Sequence, residues 1–194
     1  MLELAILGFL ADGPLHGYEL RRRVAQLSGH TRPVSDGSLY PAITRMLKRG
    51  LLNRRVEPGA AAAQRYVMSL TDTGRTELLE RLRQPADHEI TDNTRFFTIL
   101  AFLFLLPDIA DRHAVLRRRL EFLEEPASFF YDGERPLRAE EVADPYRRGM
   151  LLIARATGRA ERAWLHEVLD GADQADPGCA HTANDAVALD ERTG

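Results

Sequence analysis

Along the first 83 residues the spacing of apolar positions changes several times, and each change predicts an element. Leu2 to Leu10 is almost continuously apolar and reads as a short buried helix, halted by the Asp12-Gly13-Pro14 turn. From about His16 to Leu27 the spacing becomes helical, with Leu20, Val24 and Leu27 facing inward and Arg21, Arg22 and Arg23 crowding the outer side. Between Ser35 and Leu52 the pattern sharpens. Leu39, Ala42, Ile43, Met46, Leu47 and Gly50 keep the i, i+3, i+4, i+7 rhythm, while Ser38, Pro41, Thr44, Arg45 and Lys48 fall on the opposite side. Ser35 is a candidate N-cap, and Gly50 followed by Leu51-Leu52 is a candidate helix stop. Leu52 to Val56 and Arg65 to Leu70 then read as two strands joined by the small-residue tip Pro58 to Ala63.

Three helices followed by a β-hairpin make a winged helix-turn-helix, in which the second helix braces, the third enters the major groove and the hairpin lies along the backbone or minor groove. The third helix suits that role. One side packs on a small domain while the other offers short donors and positive charge, which points to DNA.

The second half of the chain is helical in pattern. Phe96 to Leu106 carries apolar residues on nearly every side and is expected to be a helix with more than one neighbour. A new helix is expected from Asp108, with Ile109, His113, Leu116, Leu120 and Leu123 forming a seam of alternating spacing. Pro126, Gly133 and Pro136 mark a loop. A last helix runs from about Ala139 or Pro145 to Leu169, with Tyr146, Met150, Ile153, Thr157, Ala160 and Trp164 at the same alternating spacing. Two such stripes exceed what a winged domain of this size can cover, so a second copy of the chain is the economical partner. After Gly171 the composition is polar and small, and disorder is expected. The expected organisation is therefore mainly α: a winged helix-turn-helix over 1–83, a helical dimerisation region over 84–170, and an acidic tail over 171–194.

Four motifs carry a family resemblance. Leu2-Glu3-Leu4-Ala5-Ile6-Leu7-Gly8, then Gly13-Pro14-Leu15-His16-Gly17-Tyr18-Glu19-Leu20, then Gly37-Ser38-Leu39-Tyr40-Pro41-Ala42, and finally Arg65-Tyr66 with Leu70-Thr71-x-x-Gly74 occur in order at the expected gaps. Over about 80 residues the chain resembles the PadR-type transcriptional regulators. The resemblance implies a sequence-specific, ligand-responsive repressor that binds double-stranded DNA as a homodimer through its C-terminal helices. It also implies DNA contact for the Ser38-Leu39-Tyr40-Pro41 stretch. It further implies that 84–170 also senses a small aromatic or drug-like effector between the C-terminal helices and the winged domains, for which Phe96, Phe97, Phe129, Phe130, Tyr131 and Trp164 are the candidates, with plain core packing as the alternative and Phe129-Phe130-Tyr131, beside a loop, the stretch least expected to be core.

Individual roles follow from residue chemistry. Ser38 and Tyr40 have hydroxyls for a phosphate or a base edge, with Thr44 and Lys48 beside them, and Arg45 is placed to pair with guanine or with phosphate. Tyr18 and Arg22 would sit over the backbone, although Tyr18 and Tyr40 have packing against a neighbouring helix as an alternative. Arg65 is the first choice for the minor groove, with Arg54 and Arg55 weaker candidates. The tip lacks Lys and Arg, which reduces the expected share of the wing.

Charge supports this arrangement. Residues 1–83 hold 13 Lys or Arg against 8 Asp or Glu, whereas the remainder holds 13 against 21, so a formal net charge of −3 conceals a basic first half. No transmembrane span is expected, since the largely apolar run of 11 residues, 96–106, falls short of the roughly 20 that a bilayer needs. Without a visible signal peptide, and with the lone Cys179 unable to form an internal disulfide, a cytoplasmic protein is expected. The six histidines form no pair at metal-ligand spacing, and no nucleophile elbow, P-loop or dinucleotide glycine pattern occurs. No metal, cofactor or catalytic residue is therefore expected. The rival reading is a winged helix that binds protein, or a regulator without a ligand.

Overall fold

The computed structural model describes residues 1–27, 36–58, 64–125 and 128–171. The chain runs α1 (Leu2–Ala11), β1 (Leu15–His16), α2 (Gly17–Leu27), α3 (Asp36–Lys48), β2 (Leu52–Pro58), β3 (Gln64–Leu70), α4 (Asp72–Arg83), α5 (Asp87–Thr91), α6 (Asn93–Leu100), α7 (Ile109–Glu124), β4 (Tyr131–Asp132), β5 (Arg135–Pro136) and α8 (Pro145–Gly171). The expected Ser35 cap, the wing tip, Pro126 and the tail, with Cys179, lie outside the described residues.

A winged helix-turn-helix is present, with one strand that sequence pattern did not reveal. His16 is not the first helical residue. It stands in β1 opposite Val67, next to the Leu15–Met68 pair, so the sheet has the antiparallel order β1-β3-β2. The β2–β3 ladder runs from Leu52–Leu70 out to Pro58–Gln64.

Helix α1 is the centre of the fold. Leu4, Ile6, Leu7 and Leu10 are fully buried, and α2, α3, α4, α6 and β3 all pack against it. From α2 come Leu20 and Val24, from α3 Leu39, Ala42, Ile43 and Met46, and from α4 Leu78 and Leu82. The same cluster continues without a break into Phe96, Ile99, Phe102, Leu106, Val115, Leu116 and, from α8, Leu165. Winged segment and later helices thus share one core.

Two glycines of the family motifs are explained by close approach. A Cβ on Gly8 would stand 2.5 Å from the Phe102 ring, which also meets Phe9 edge-on at 5.0 Å between centroids. A Cβ on Gly74 would stand 2.1 Å from the Leu51 carbonyl oxygen, so α4 can lie against the α3–β2 junction only through glycine. Thr71 completes that joint: its hydroxyl donates toward the Gly50 and Leu51 carbonyls (2.8 and 3.0 Å) and accepts from the Gly74 N–H as the N-cap of α4. Gly50 ends α3 with φ of +70°, the left-handed turn a helix stop needs.

The apolar run 96–106 is not one helix. α6 ends at Leu100, the chain bends, and a single 3₁₀ turn covers Leu103–Leu105. The bend places Phe102 against Gly8, a long-range contact that local spacing does not encode. In α7, His113 and Leu116 of the expected seam are buried, with Leu120 and Leu123 partly so, whereas Ile109 is exposed. The expected loop holds a tight β4–β5 hairpin turning at Gly133 (φ +61°). With Ala139, Val142, Leu137 and Phe130, it leads into a small second cluster on Leu151 of α8. Helix α8 starts at Pro145, the later of the two expected positions.

Candidate nucleic-acid interface

Helix α3 divides as its spacing predicts. Leu39, Ala42, Ile43 and Met46 are buried, while Ser38, Tyr40, Pro41, Thr44, Arg45 and Lys48 are exposed. Pro41 stands inside the helix and has no N–H, so the Gly37 carbonyl lacks its usual fourth-residue donor. The Thr44 hydroxyl donates to the Tyr40 carbonyl at 2.9 Å, which leaves its oxygen as an acceptor toward solvent.

Between α3, the start of α2 and the inner face of the hairpin lies an open cleft of about 790 Å³. Its floor is Ile43, Leu47 and Met68, and its rim carries His16, Tyr18, Glu19, Tyr40, Thr44, Arg54 and Tyr66. Strand parity explains the hairpin's share. Arg54 opposes Met68 and Val56 opposes Tyr66, so all four stand on one face, buried at the base and exposed outward. The Arg54 guanidinium stacks on the Tyr66 ring at 4.8 Å. Three phenol hydroxyls and a guanidinium over an apolar floor suit a sugar–phosphate strand, whose sugar is apolar and whose phosphate accepts hydrogen bonds.

Four arginines of α2 and the end of α3, outside the cleft, are held by carboxylates. Glu19 accepts from Arg22 (2.9 Å) and Arg23 (2.8 Å), and these hydrogen bonds, that from Arg23 first, hold its carboxyl below the ordinary carboxylate range. Glu3 at the start of α1 receives Arg45 and Arg49, each at 3.2 Å, and Arg49 also reaches Glu77 at 3.0 Å. These pairs fix the guanidinium groups along the edge of α3 while leaving them in water, where such pairs contribute little stability.

The structure thus brings together Tyr18, Tyr40 and Thr44 of the expected DNA-binding set in one cleft. Ser38, Pro41 and Lys48 lie along the exposed side of α3, Arg45 lies on the flank facing Glu3, and Arg22 stands on α2. The Arg65 side chain lies outside the described residues. Arg54, ranked lower on sequence, lines the cleft, and His16 and Tyr66 had not been selected at all. The period-two parity of Arg54, Val56, Tyr66 and Met68 was the available signal for Tyr66.

The six effector candidates are not brought together. Phe96 is fully buried in the main core with the Arg119 guanidinium 4.8 Å over its ring, so it offers no surface to a ligand. Phe130 belongs to the small cluster on α8, beneath Arg147. Phe97, Phe129, Tyr131 and Trp164 are exposed on α6, the hairpin segment and α8. Among the described residues, no group of three or more His, Cys, Asp or Glu is placed to hold a metal ion, and no helix is long and apolar enough to cross a membrane.

A third helix with a polar outer stripe, a β-hairpin wing and a cation-bearing cleft between them define a winged helix-turn-helix fold. Residues 6–80 match the model of the transcriptional regulator PadR-like family, so this segment is similar to the members of that family. It is 40% identical over 79 residues to an uncharacterized 37.1 kDa protein of transposon TN4556 from Streptomyces fradiae, covering 41% of this chain and 21% of that one. It is 27% identical over 94 residues to the negative transcriptional regulator PadR of Bacillus subtilis, covering 47% of this chain and 52% of the relative. The chain therefore spans about a fifth and about half the length of these curated relatives. Among solved structures, B. subtilis PadR in complex with operator DNA aligns over 87% of this chain and 97% of that one, at 21% identity and a TM-score of 0.41. The same protein in complex with p-coumaric acid aligns over 89% and 99%, at 21% identity and 0.37.

Proposed function

We propose that two copies of this chain bind an inverted-repeat operator and repress transcription by occupying a promoter. The observation that carries this reading is the bare stripe of α8. Tyr146, Met150, Ile153, Thr157, Ala160 and Trp164 are all exposed in the single chain, Tyr146 at 87% and Ile153 at 70%. The stripe runs for ~27 Å of helix at 1.5 Å per residue. A regular apolar seam of that length on a 27-residue helix calls for a partner, and a two-fold axis lets the same seam serve both sides. Phe97, Phe104 and Ile109 add exposed apolar surface near the start of α7.

In the dimer, each α3 enters a major groove with Ser38, Tyr40, Pro41, Thr44, Arg45 and Lys48 toward the duplex. Tyr18, Arg22, Arg54, Tyr66 and Arg65 hold the flanking backbone. The two helices meet half-sites about 34 Å apart on one face of the DNA. Repression is favoured by the relative from B. subtilis, a negative regulator. The reading extends to a small aromatic effector, for which Phe97, Phe129, Tyr131 and Trp164 are the exposed groups. Titration with p-coumarate should quench Trp164 fluorescence and release the duplex, and an unchanged spectrum at millimolar concentration removes p-coumarate as the effector.

The central reading is tested with duplexes selected from a random library by the full chain, together with light scattering. A dimer that enriches an inverted repeat is expected. A monomer that enriches a single asymmetric half-site overturns it.

A further inference from the structure

Arg119 of α7 is fully buried, an unusual place for a guanidinium, and its surroundings account for every hydrogen it carries. Its Nε donates to Glu161 Oε1 at 2.7 Å and its Nη2 to Glu161 Oε2 at 3.0 Å, a two-pronged grip on α8. Its Nη1 donates to the carbonyls of Ile90 (2.6 Å) and Thr91 (3.3 Å) at the end of α5, and its Nη2 also reaches Asn93 Oδ1 at the start of α6. Five N–H groups thus meet five acceptors, with Phe96 and Phe122 rings at 4.8 and 5.4 Å closing the faces. Only a planar fork can serve α5, α6 and α8 together.

The position matters as much as the bonds. The α5–α6 segment is where the chain leaves the winged head, and Phe96 beneath the guanidinium belongs to the same core as Leu4 and Leu7 of α1. Helix α8 touches that core only near its far end, through Leu165, Val168 and Leu169, with Arg162 donating to the Leu123 carbonyl at 2.9 Å. Its first half rests on the small cluster of Ala139, Val142 and Leu151 instead. α8 is therefore a lever held at Glu161, with Tyr146 ~22 Å away along the axis. A pivot of ~10° at Glu161 moves Tyr146 by ~4 Å.

We propose that Arg119 and Glu161 are positioning residues for operator binding: the grip fixes the angle between α8 and the winged head, and with it the separation at which a dimer presents its two α3 helices. This rests on the dimeric operator reading above. Operator binding needs both helices in register with successive major grooves, so a loosened grip costs affinity for the full site without touching any group that contacts DNA.

The test uses the full chain, the inverted repeat enriched from the random library, its isolated half-site, and the same repeat with the spacer changed by one or two base pairs. Glu161→Gln, Arg119→Lys and the double variant Arg119→Met/Glu161→Met are compared with the wild type; the double variant leaves no buried charge unpaired, so it remains informative where a single variant fails to fold. Each folded, dimeric variant should bind the half-site within twofold of the wild type, lose at least tenfold on the full repeat, and accept altered spacers that the wild type rejects. Equal losses on half-site and full repeat, or a spacer preference as sharp as that of the wild type, overturn the proposal. A wild type that stays monomeric or binds no duplex overturns the operator reading itself, a result distinct from wild-type binding with unaltered variants.

Discussion

Individual residues in this fold differ sharply in how much room they have, and Gly74 is the tightest case. A methyl group there meets a backbone carbonyl at 2.1 Å, and backbone cannot swing aside as a side chain can. Gly74→Ala should cost about 2–3 kcal/mol through overpacking and lower the thermal midpoint by roughly 4–12 °C. Gly17→Ala, with no atom within 4 Å of the added carbon, should leave the midpoint within a few degrees, and calorimetry separates the two. Glu19 gives a prediction in pH. Its depressed pKa means that the clamp on Arg22 and Arg23 is fully present above the ordinary carboxylate value and is lost as pH falls through the lowered one. An NMR titration of its carboxyl carbon should give a midpoint below about 4.3, rising when Arg22 and Arg23 are both replaced by Ala. An unmoved midpoint would show that these bonds do not form in solution.

At the scale of elements, the wing's proposed contact with DNA runs through the strand face it shares with the cleft. On that reading Arg54→Ala removes a phosphate partner and unstacks Tyr66, so binding should weaken to a similar degree on every duplex sequence. The slope of log affinity against log salt should fall by about one, read by fluorescence anisotropy at several salt concentrations. A change confined to one base position would instead make Arg54 a base reader. Elements also differ in how openly they could be read from the chain. α3 was plain because its buried and exposed positions alternate with helical period, so its outer stripe could be listed from spacing alone. β1 was hidden, since two residues have no period and His16 is drawn into the sheet only by pairing with Val67. The break after Leu100 was hidden for a related reason: no Pro or Gly marks it, and the bend answers to Gly8, some ninety residues earlier. The tie of Arg45 to Glu3 is equally invisible in the chain, because it depends on α1 and α3 meeting in space. Arg119 looked like one more arginine in a basic run, and only the crossing of α5, α6 and α8 makes it a buried centre.

For the molecule as a whole, the decisive surface is the one that a single chain leaves uncovered. Ile153→Asp together with Tyr146→Asp places two charges in the α8 seam, outside the elements assigned to DNA, and should convert the proposed dimer to monomer in light scattering. Affinity for the inverted repeat should then fall to that of the half-site, a loss of about a hundredfold for a doubly engaged ligand. Retained dimers with full affinity would place the interface elsewhere. The uneven charge of the chain acts at this scale too, because a basic first half and an acidic second half orient each copy as it approaches a polyanion.

The joint at Thr71 and Gly74 carries one more implication. Because the last turn of α3, the first residue of β2 and the cap of α4 are pinned to one another through Gly50, Leu51 and Thr71, helix and wing form a single unit with a preset offset. On the proposed operator reading, exchanging outer side chains of the helix should alter base preference while the length of DNA protected by each head stays constant.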